Sequence, residues 1–396
     1  MNPANRKNLL ILSFTLLVVM LGYSMAMPLL PFYIENFGVG GTELGWLMST
    51  YSLMQLICAP IWGILSDRFG RKPILSVGIL GYTISLLMFG LSNSFAMMFV
   101  ARSLSGILSS ATMPTAMAYI GENAPQKERS KGMGQLGAAV GVGVIIGPLV
   151  GGLLSTDSLS LPFFVGSGLA FLALMLVIFL LPESRSTEPA ADQKAIRTRE
   201  VYLRVLLSPA GILLVLIFIM SFGMTNFQGM IGLYVVDKFA FDTRQVGTIW
   251  MLMGLVLIIG QGVLVGPLSR KFGELQLIKL GLLGGALGFV SVALAFDYLT
   301  VMLALGFFIL ALALIGPALN SHISTFAEKQ QGTVMGLNSA FTSLGRVVGP
   351  LWGGYIYDIN SAYPFFSGSA TLALGLLLSL FTLRRQTSAS GNPDSR

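Results

Sequence analysis

Two ten-residue strings decide the reading of this chain: GVIIGPLVGG at Gly143–Gly152 and GRVVGPLWGG at Gly345–Gly354. They lie 202 residues apart (345 minus 143) and share their glycines, their proline and their length. A second pair repeats at nearly the same offset. Gly63–Gly70, GILSDRFG, aligns with Gly266–Gly273, GPLSRKFG, at 203 residues (266 minus 63). Two separate segments agreeing within one residue point to an internal duplication.

Composition says what is duplicated. Of 396 residues, 54% are hydrophobic and 10% charged, and the mean hydropathy is +0.78, outside the range of soluble domains. Apolar runs of about 20 residues suffice to cross a hydrocarbon core of about 30 Å. Twelve such runs are present: 9–33, 43–65, 73–92, 95–120, 132–156, 162–181, 209–235, 244–267, 275–296, 299–324, 333–357 and 362–383. Lipid cannot satisfy backbone polar groups, and the runs are too long and unalternating for barrel strands, so the fold class is all-α and polytopic. The first run follows Arg6 and Lys7 but is too long, and lacks the cleavage pattern, for a signal peptide.

The connecting segments carry a charge bias. With the N-terminus cytoplasmic, 20 of the 24 Lys and Arg residues fall on inner segments, and only Lys238 and Arg244 on outer ones. Both termini are therefore expected inside the cytoplasmic membrane. The net charge of +7 then reports topology facing an anionic leaflet rather than nucleic-acid binding. The polar stretch 183–208 reads as a cytoplasmic linker. It separates a six-helix bundle over 1–182 from a second over 209–385, with a tail at 386–396. Parallel repeats of six spans are the architecture of alternating-access transporters, with the substrate site between the repeats.

These residues carry a family resemblance. GILSDRFGRKPIL at Gly63–Leu75 resembles the loop signature of the major facilitator superfamily. LGYSMAMPLLP at Leu21–Pro31 is similar to the first-helix signature of its twelve-helix drug:proton antiporter branch, and GVIIGPLVGG resembles that branch's helix-five signature. RSLSGILSS from Arg102 matches more weakly, with Ser105 and Leu108 where the pattern has glutamine and a second glycine. With SLGRVVGPLWGG, the resemblance covers almost the whole chain and implies a bacterial multidrug exporter driven by protons, with lipophilic small molecules as substrates.

The resemblance assigns roles. Gly63, Asp67, Arg68, Gly70, Arg71 and Lys72 form a conformational latch, in which Asp67 pairs with Arg71 and approaches the positive end of span eleven; the charges would also serve as topology signals alone. In the repeat, Arg270 replaces Asp67, which makes the latch one-sided. Gly143, Gly147, Pro148, Gly151 and Gly152 form the antiporter gate, with small residues at spacing four permitting close helix approach and the proline bending the rod. Arg346, Gly349 and Pro350 form its second-half counterpart.

Arg102 and Arg346 are the two charges inside spans, and an intramembrane charge points to pairing or function. The family role of Arg102 is proton coupling, against a structural capping contact. Arg346 either faces a cavity or binds carbonyls released near Pro350. No Asp or Glu lies well inside any span, and Gln228 stands where related exporters carry a carboxylate. The proton is therefore expected on Glu35 or Glu122, with His322 the remaining titratable candidate. Polar and aromatic residues near span centres, Tyr23, Gln55, Thr112, Asn226, Phe227, Gln228, Gln261, Asn320 and Asn338, are candidates for the cavity or for interhelical hydrogen bonds.

Cys58 and His322 have no metal-ligand partners at useful spacing, so neither a disulfide framework nor a metal site is expected. No phosphate-binding loop or nucleophile-base set appears, so the chain reads as no enzyme and needs no cofactor beyond the proton gradient. A monomer in the lipid bilayer is expected. The competing functions are an exporter of a physiological solute or metal complex, a facilitator on the same fold, and a membrane receptor.

Overall fold

The computed structural model describes residues 3–184, 205, 209–325 and 331–382. Of the expected linker only Glu183, Ser184 and Val205 are described, and the tail 386–396 lies outside the described residues. Fifteen α-helices, with one π-helical turn, form every regular element among them: α1 Pro3–Ala26, α2 Leu30–Asn36, α3 Gly41–Phe69, α4 Arg71–Gly90, α5 Phe95–Ser109, α6 Thr112–Asn123, α7 Gln126–Leu154, α8 Leu161–Leu180, α9 Pro209–Phe239, α10 Thr243–Ile259, the π turn Gly260–Leu264, α11 Val265–Phe272, α12 Glu274–Ala293, α13 Tyr298–Thr325, α14 Gln331–Tyr357 and α15 Tyr363–Thr382.

Among the described residues, eleven helical segments are long and apolar enough to cross a membrane. They account for every expected span except 333–357. That stretch is a continuous helix, α14, of 27 residues, but Asn338, Thr342, Ser343, Arg346 and its glycines keep it out of the apolar set. Its length suits a crossing, and its composition marks it as a helix that needs neighbours to cover it.

Three expected spans are interrupted, each for a local reason. The break between α1 and α2 falls at Met27–Leu29, where Pro28 and Pro31 remove two backbone donors and crowd the carbonyls of Ser24 and Met27. The turn between α5 and α6 lies at Ser110 and Ala111, and Pro114 denies the Ser110 carbonyl its helical donor. The widened turn at Gly260–Leu264 precedes Pro267, and π turns of this kind absorb a mismatch in the ladder without ending the helix.

The helices gather into two compact units, Met1–Lys194 with Val235–Gly254, and Ala195–Tyr234 with Leu255–Arg396. In the first, α1 packs on α7 and α8, and α4 on α5 and α8. Leu12, Leu16, Leu75, Ile79, Leu136 and Val177 are fully enclosed there. In the second, α12 packs on α13 and α15. Its centre is aromatic: the Phe227 ring lies 4.3 Å from that of Phe308 and 5.7 Å from that of Phe289, and Tyr234 lies 4.5 Å from Phe365. Lipid is as apolar as these side chains, so close packing rather than transfer from water holds such interiors together.

Candidate functional site

The two glycine strings become two helix contacts of the same design. Along α7, a Cβ on Gly143, Gly147 or Gly151 would lie 2.7, 2.6 or 2.7 Å from the carbonyl oxygens of Leu17, Leu21 and Met25, three successive turns of α1. Only glycine permits that approach, and the Ser24 hydroxyl uses it, donating to the Gly143 carbonyl at 2.9 Å. Along α14, a Cβ on Gly345 or Gly349 would lie 2.9 Å from the Phe218 carbonyl oxygen or 2.7 Å from that of Phe222, on α9. There Thr225 donates to the Gly345 carbonyl at 3.0 Å and Ser221 to that of Thr342 at 2.8 Å. Gly143 and Gly345, equivalent in sequence, thus accept equivalent hydroxyl hydrogen bonds.

Gly152 faces away from this stripe. A Cβ on it would lie 2.5 Å from the Thr243 carbonyl oxygen, and one on Gly247 would lie 2.6 Å from that of Pro148. Thr243 donates its hydroxyl to the Gly152 carbonyl at 3.2 Å. The first turns of α10 therefore lie directly on the last turns of α7. Pro148 sits within α7 without ending it.

The loop after α3 holds the densest polar cluster. Gly70 has φ +102°, which favours glycine, and a Cβ there would strike the Glu183 carboxylate at 2.8 Å. Glu183 Oε1 accepts from the backbone N–H groups of Arg71 at 2.9 Å, Lys72 at 3.1 Å and Ser184 at 3.0 Å. A carboxylate thus caps the positive end of α4. The Arg71 guanidinium bridges two acids: Nη1 lies 2.5 Å from Asp67, and Nε donates to Glu122 at 3.0 Å, with Nη2 on the same oxygen. Ser184 donates to the other Glu122 oxygen at 2.8 Å, and the Tyr119 hydroxyl to the Pro182 carbonyl at 2.9 Å.

Of the expected latch, the structure brings together Asp67, Gly70 and Arg71. Arg68 is exposed, with its guanidinium 5.5 Å from the Phe69 ring, Lys72 contributes its backbone, and a Cβ on Gly63 would meet nothing within 4 Å. Glu122, expected as a proton group, belongs to this cluster, whereas Glu35 is exposed at the end of α2. Sequence reading missed Glu183, Ser184 and Ser66, which accompany Asp67. Glu183 stands at the start of a polar stretch, and nothing local to it says that the chain after α8 returns to the start of α4.

Arg102, on α5, is enclosed at 2% exposure. No carboxylate pairs with it among the described residues. Its guanidinium carbon lies 4.6 Å from the Tyr51 ring and 5.4 Å from the Tyr23 ring, and Nη2 points at the sulfurs of Met48 at 3.9 Å and Met27 at 4.0 Å. The capping contact to carbonyls is absent among these contacts. Arg346, on α14, is half-buried, and no hydrogen bond to carbonyls near Pro350 forms among the described residues.

The expected cavity residues divide. Tyr23, Gln55 and Gln228 are half-buried, and Gln261 is exposed on the π turn. Asn320 and Asn338 bond to each other, Nδ2 of Asn338 to Oδ1 of Asn320 at 2.9 Å. Three candidates take the packing alternative rather than the cavity one. Thr112, Asn226 and Phe227 are enclosed within the helix packing, at 1%, 0% and 0% exposure, rather than open to a cavity. Asn226 donates to the Pro364 carbonyl at 2.8 Å, and Phe227 fills the aromatic centre. Successive residues on a helix point about 100° apart, so Asn226, Phe227 and Gln228 cannot share one face. Among the described residues no group of three or more His, Cys, Asp or Glu is placed to hold a metal ion.

Known proteins match this arrangement along its length. The model of the Major Facilitator Superfamily matches residues 12–328. Multidrug resistance protein 2 of Bacillus subtilis (strain 168) is 34% identical over 386 residues, 96% of each chain. Quinolone resistance protein NorA of Staphylococcus aureus (strain COL) is 28% identical over 377 residues, 94% of this chain and 96% of that one. Among solved structures, the bacterial homologue of the human lysosomal transporter Spinster, inward-facing and occupied, superposes with a TM-score of 0.79 at 15% identity, over 99% of this chain and 100% of that one. That likeness bears on the fold alone. A duplicated set of apolar helices, a loop cluster around Gly70 and Arg71 and a whole-length match converge on one assignment: this chain is a multi-pass membrane transporter, not an enzyme, and belongs to the major facilitator superfamily.

Proposed function

We propose that the protein exports small, largely apolar compounds across the cytoplasmic membrane by alternating access, in exchange for protons and with no other cofactor. The observation that carries this reading is the whole-length similarity, at 34% identity, to a protein named for multidrug resistance. The glycine stripe of α7 supports it, because the string resembling the antiporter signature is the one whose residues cannot be enlarged without meeting α1. The 20 Met and 26 Phe residues supply polarisable, adaptable surface suited to varied apolar ligands.

Every carboxylate among the described residues lies in a loop or in the first or last turn of a helix. We therefore place the exchanged proton at a membrane face, at Glu122, where protonation removes the charge that holds Arg71. Arg102 contributes positive charge within its span; Glu35, at the end of α2, is the remaining carboxylate to test. The protein acts as a monomer with both termini cytoplasmic.

The test is dissipation of a pH gradient in everted vesicles on addition of a compound panel. The expected result is compound-dependent proton release that Glu122→Gln abolishes while binding persists. A gradient unaffected by every compound would overturn the exchange reading.

A further inference from the structure

The environment of Arg102 is incomplete as it stands. Its guanidinium carries five donors, yet its acceptors are two thioether sulfurs at 3.9 and 4.0 Å, which are weak ones, and Nε is buried with no hydrogen-bond partner. The Tyr23 and Tyr51 faces, 5.1 Å apart between centroids, balance part of the positive charge. They leave the in-plane donors unused. The Tyr82 hydroxyl, which abuts Gly22 next to Tyr23, is likewise buried without a partner. The buried Nε of Arg102 thus sits unfilled in a box of rings and thioethers, where an unmade hydrogen bond is unfavourable.

The box has an accessible side. Arg102 and Tyr51 are enclosed, whereas Tyr23 and Met48 are half-buried. Met27 is enclosed and Met48 half-buried, and methionine turns readily among rotamers, which lets the thioethers yield the guanidinium face to a better acceptor. What would enter needs an acceptor of negative charge to meet the planar fork and a flat apolar body to lie between ring and thioether.

We propose that Arg102, with Tyr23, Met27, Met48 and Tyr51, is a binding site for the carboxylate of an amphipathic aryl-carboxylate substrate. The guanidinium donates to the carboxylate in place of the two sulfurs, and the aromatic body lies against Tyr23. The site makes the transporter selective for carboxylate-bearing compounds over their neutral amides. This inference rests on the proposed transport of small molecules.

The experiment measures binding of 1-naphthylacetate and of 1-naphthylacetamide to the full-length protein in nanodiscs, by calorimetry in HEPES buffer free of carboxylates, with and without added chloride. The expected result is an affinity about tenfold higher for the carboxylate, the worth of one charge-assisted contact. Arg102→Met should abolish that preference, and Arg102→Lys, which keeps the charge but not the fork, should reduce it by part, so that the argument survives if the methionine variant fails to fold. Equal affinity for the two probes in the wild type, or an unchanged preference in Arg102→Lys and Arg102→Met, overturns the proposal. So does chloride binding that depends on Arg102 with no carboxylate preference, which would make the occupant a resident halide. Proton release driven by a neutral compound in everted vesicles separates the two readings: with it present and the preference absent, transport stands and this site falls.

Discussion

The loops after α3 and α11 are copies with their charges exchanged. In the first, Asp67 and Arg71 flank Gly70; in the second, Arg270 and Glu274 flank Gly273 at the equivalent positions, 203 residues on. Both glycines keep a positive φ, +102° and +78°, and both donate to the serine four residues back, at 3.1 and 2.9 Å. Each loop also reaches a helix with an opposite partner. Arg71 holds Glu122, while Glu274 lies 3.6 Å from His322 Nδ1 and bonds Ser321. The turn geometry requires glycine, whereas attraction requires only opposite signs in either order. The difference lies in the cation: the Arg71 guanidinium keeps its charge, and the second pair is ionic only while His322 is protonated. The second copy thus carries the weaker polar contact.

The features that the halves share should be the costliest to break. Replacing Gly147 or Gly349 with valine should leave little folded protein in the membrane. Alanine at either site should cost about 1–3 kcal/mol by overpacking, while Gly137→Ala, where a Cβ meets nothing within 4 Å, should be neutral or slightly stabilising. Thermal melting of the three alanine variants checks this. Equal losses at all three would deny that the close approach matters.

The loop clusters should then separate the halves. A double-mutant cycle of Arg71→Met and Glu122→Gln should give a coupling of about 1–2 kcal/mol, since both groups are mostly covered and their hydrogen bonds are charge-assisted. The corresponding cycle of Glu274→Gln and His322→Asn should stay under about 1 kcal/mol at neutral pH. A larger coupling in the second half would reverse the order of strength. Glu183→Ala, which removes the cap from α4, should cost about 1 kcal/mol. The second half has no equivalent among its described contacts at Gly273, and a Cβ there would meet nothing within 4 Å.

The smallest expected effect lies at two equivalent helix starts. Ser94 accepts from the Met97 N–H at 3.4 Å, and Asp297, 203 residues on, accepts from the Thr300 N–H at 2.7 Å. Hydrogen bonds from the Thr300 hydroxyl and backbone hold the Asp297 carboxyl below its usual value. The stabilisation is therefore present above the unfolded-state value and is lost as pH falls through the lower folded-state one. Asp297→Asn should melt slightly below wild type at neutral pH, and the two curves should converge on acidification. The Ser94→Ala difference should be independent of pH across the same range.

Much of this was open to reading in the sequence. The apolar runs, the repeat offset and the glycine spacing are one-dimensional signals that follow directly from bilayer thickness and helix period. The breaks at Met27–Leu29 and Ser110–Ala111 were also marked, by prolines, but apolarity averaged over twenty residues hides them. The cavity candidates fared less well, because hydropathy places a residue at a depth and says nothing of the direction in which it points. Asn226 and Phe227 have the right depth and the wrong face.

The sequence by itself determined that the chain is helical and membrane-spanning, that its halves are copies, and that Gly70, Arg71 and the two glycine strings matter. Each of these rests on periodicity, composition or a local backbone demand. Only the tertiary structure decided that Glu183 returns to cap α4, that Glu122 holds Arg71, and that Arg102 lies among tyrosine rings and thioethers without a carboxylate. Those contacts join residues 51 to 112 positions apart for the first cluster and 51 to 79 for the second, and no local rule of the chain specifies which helix faces are brought together.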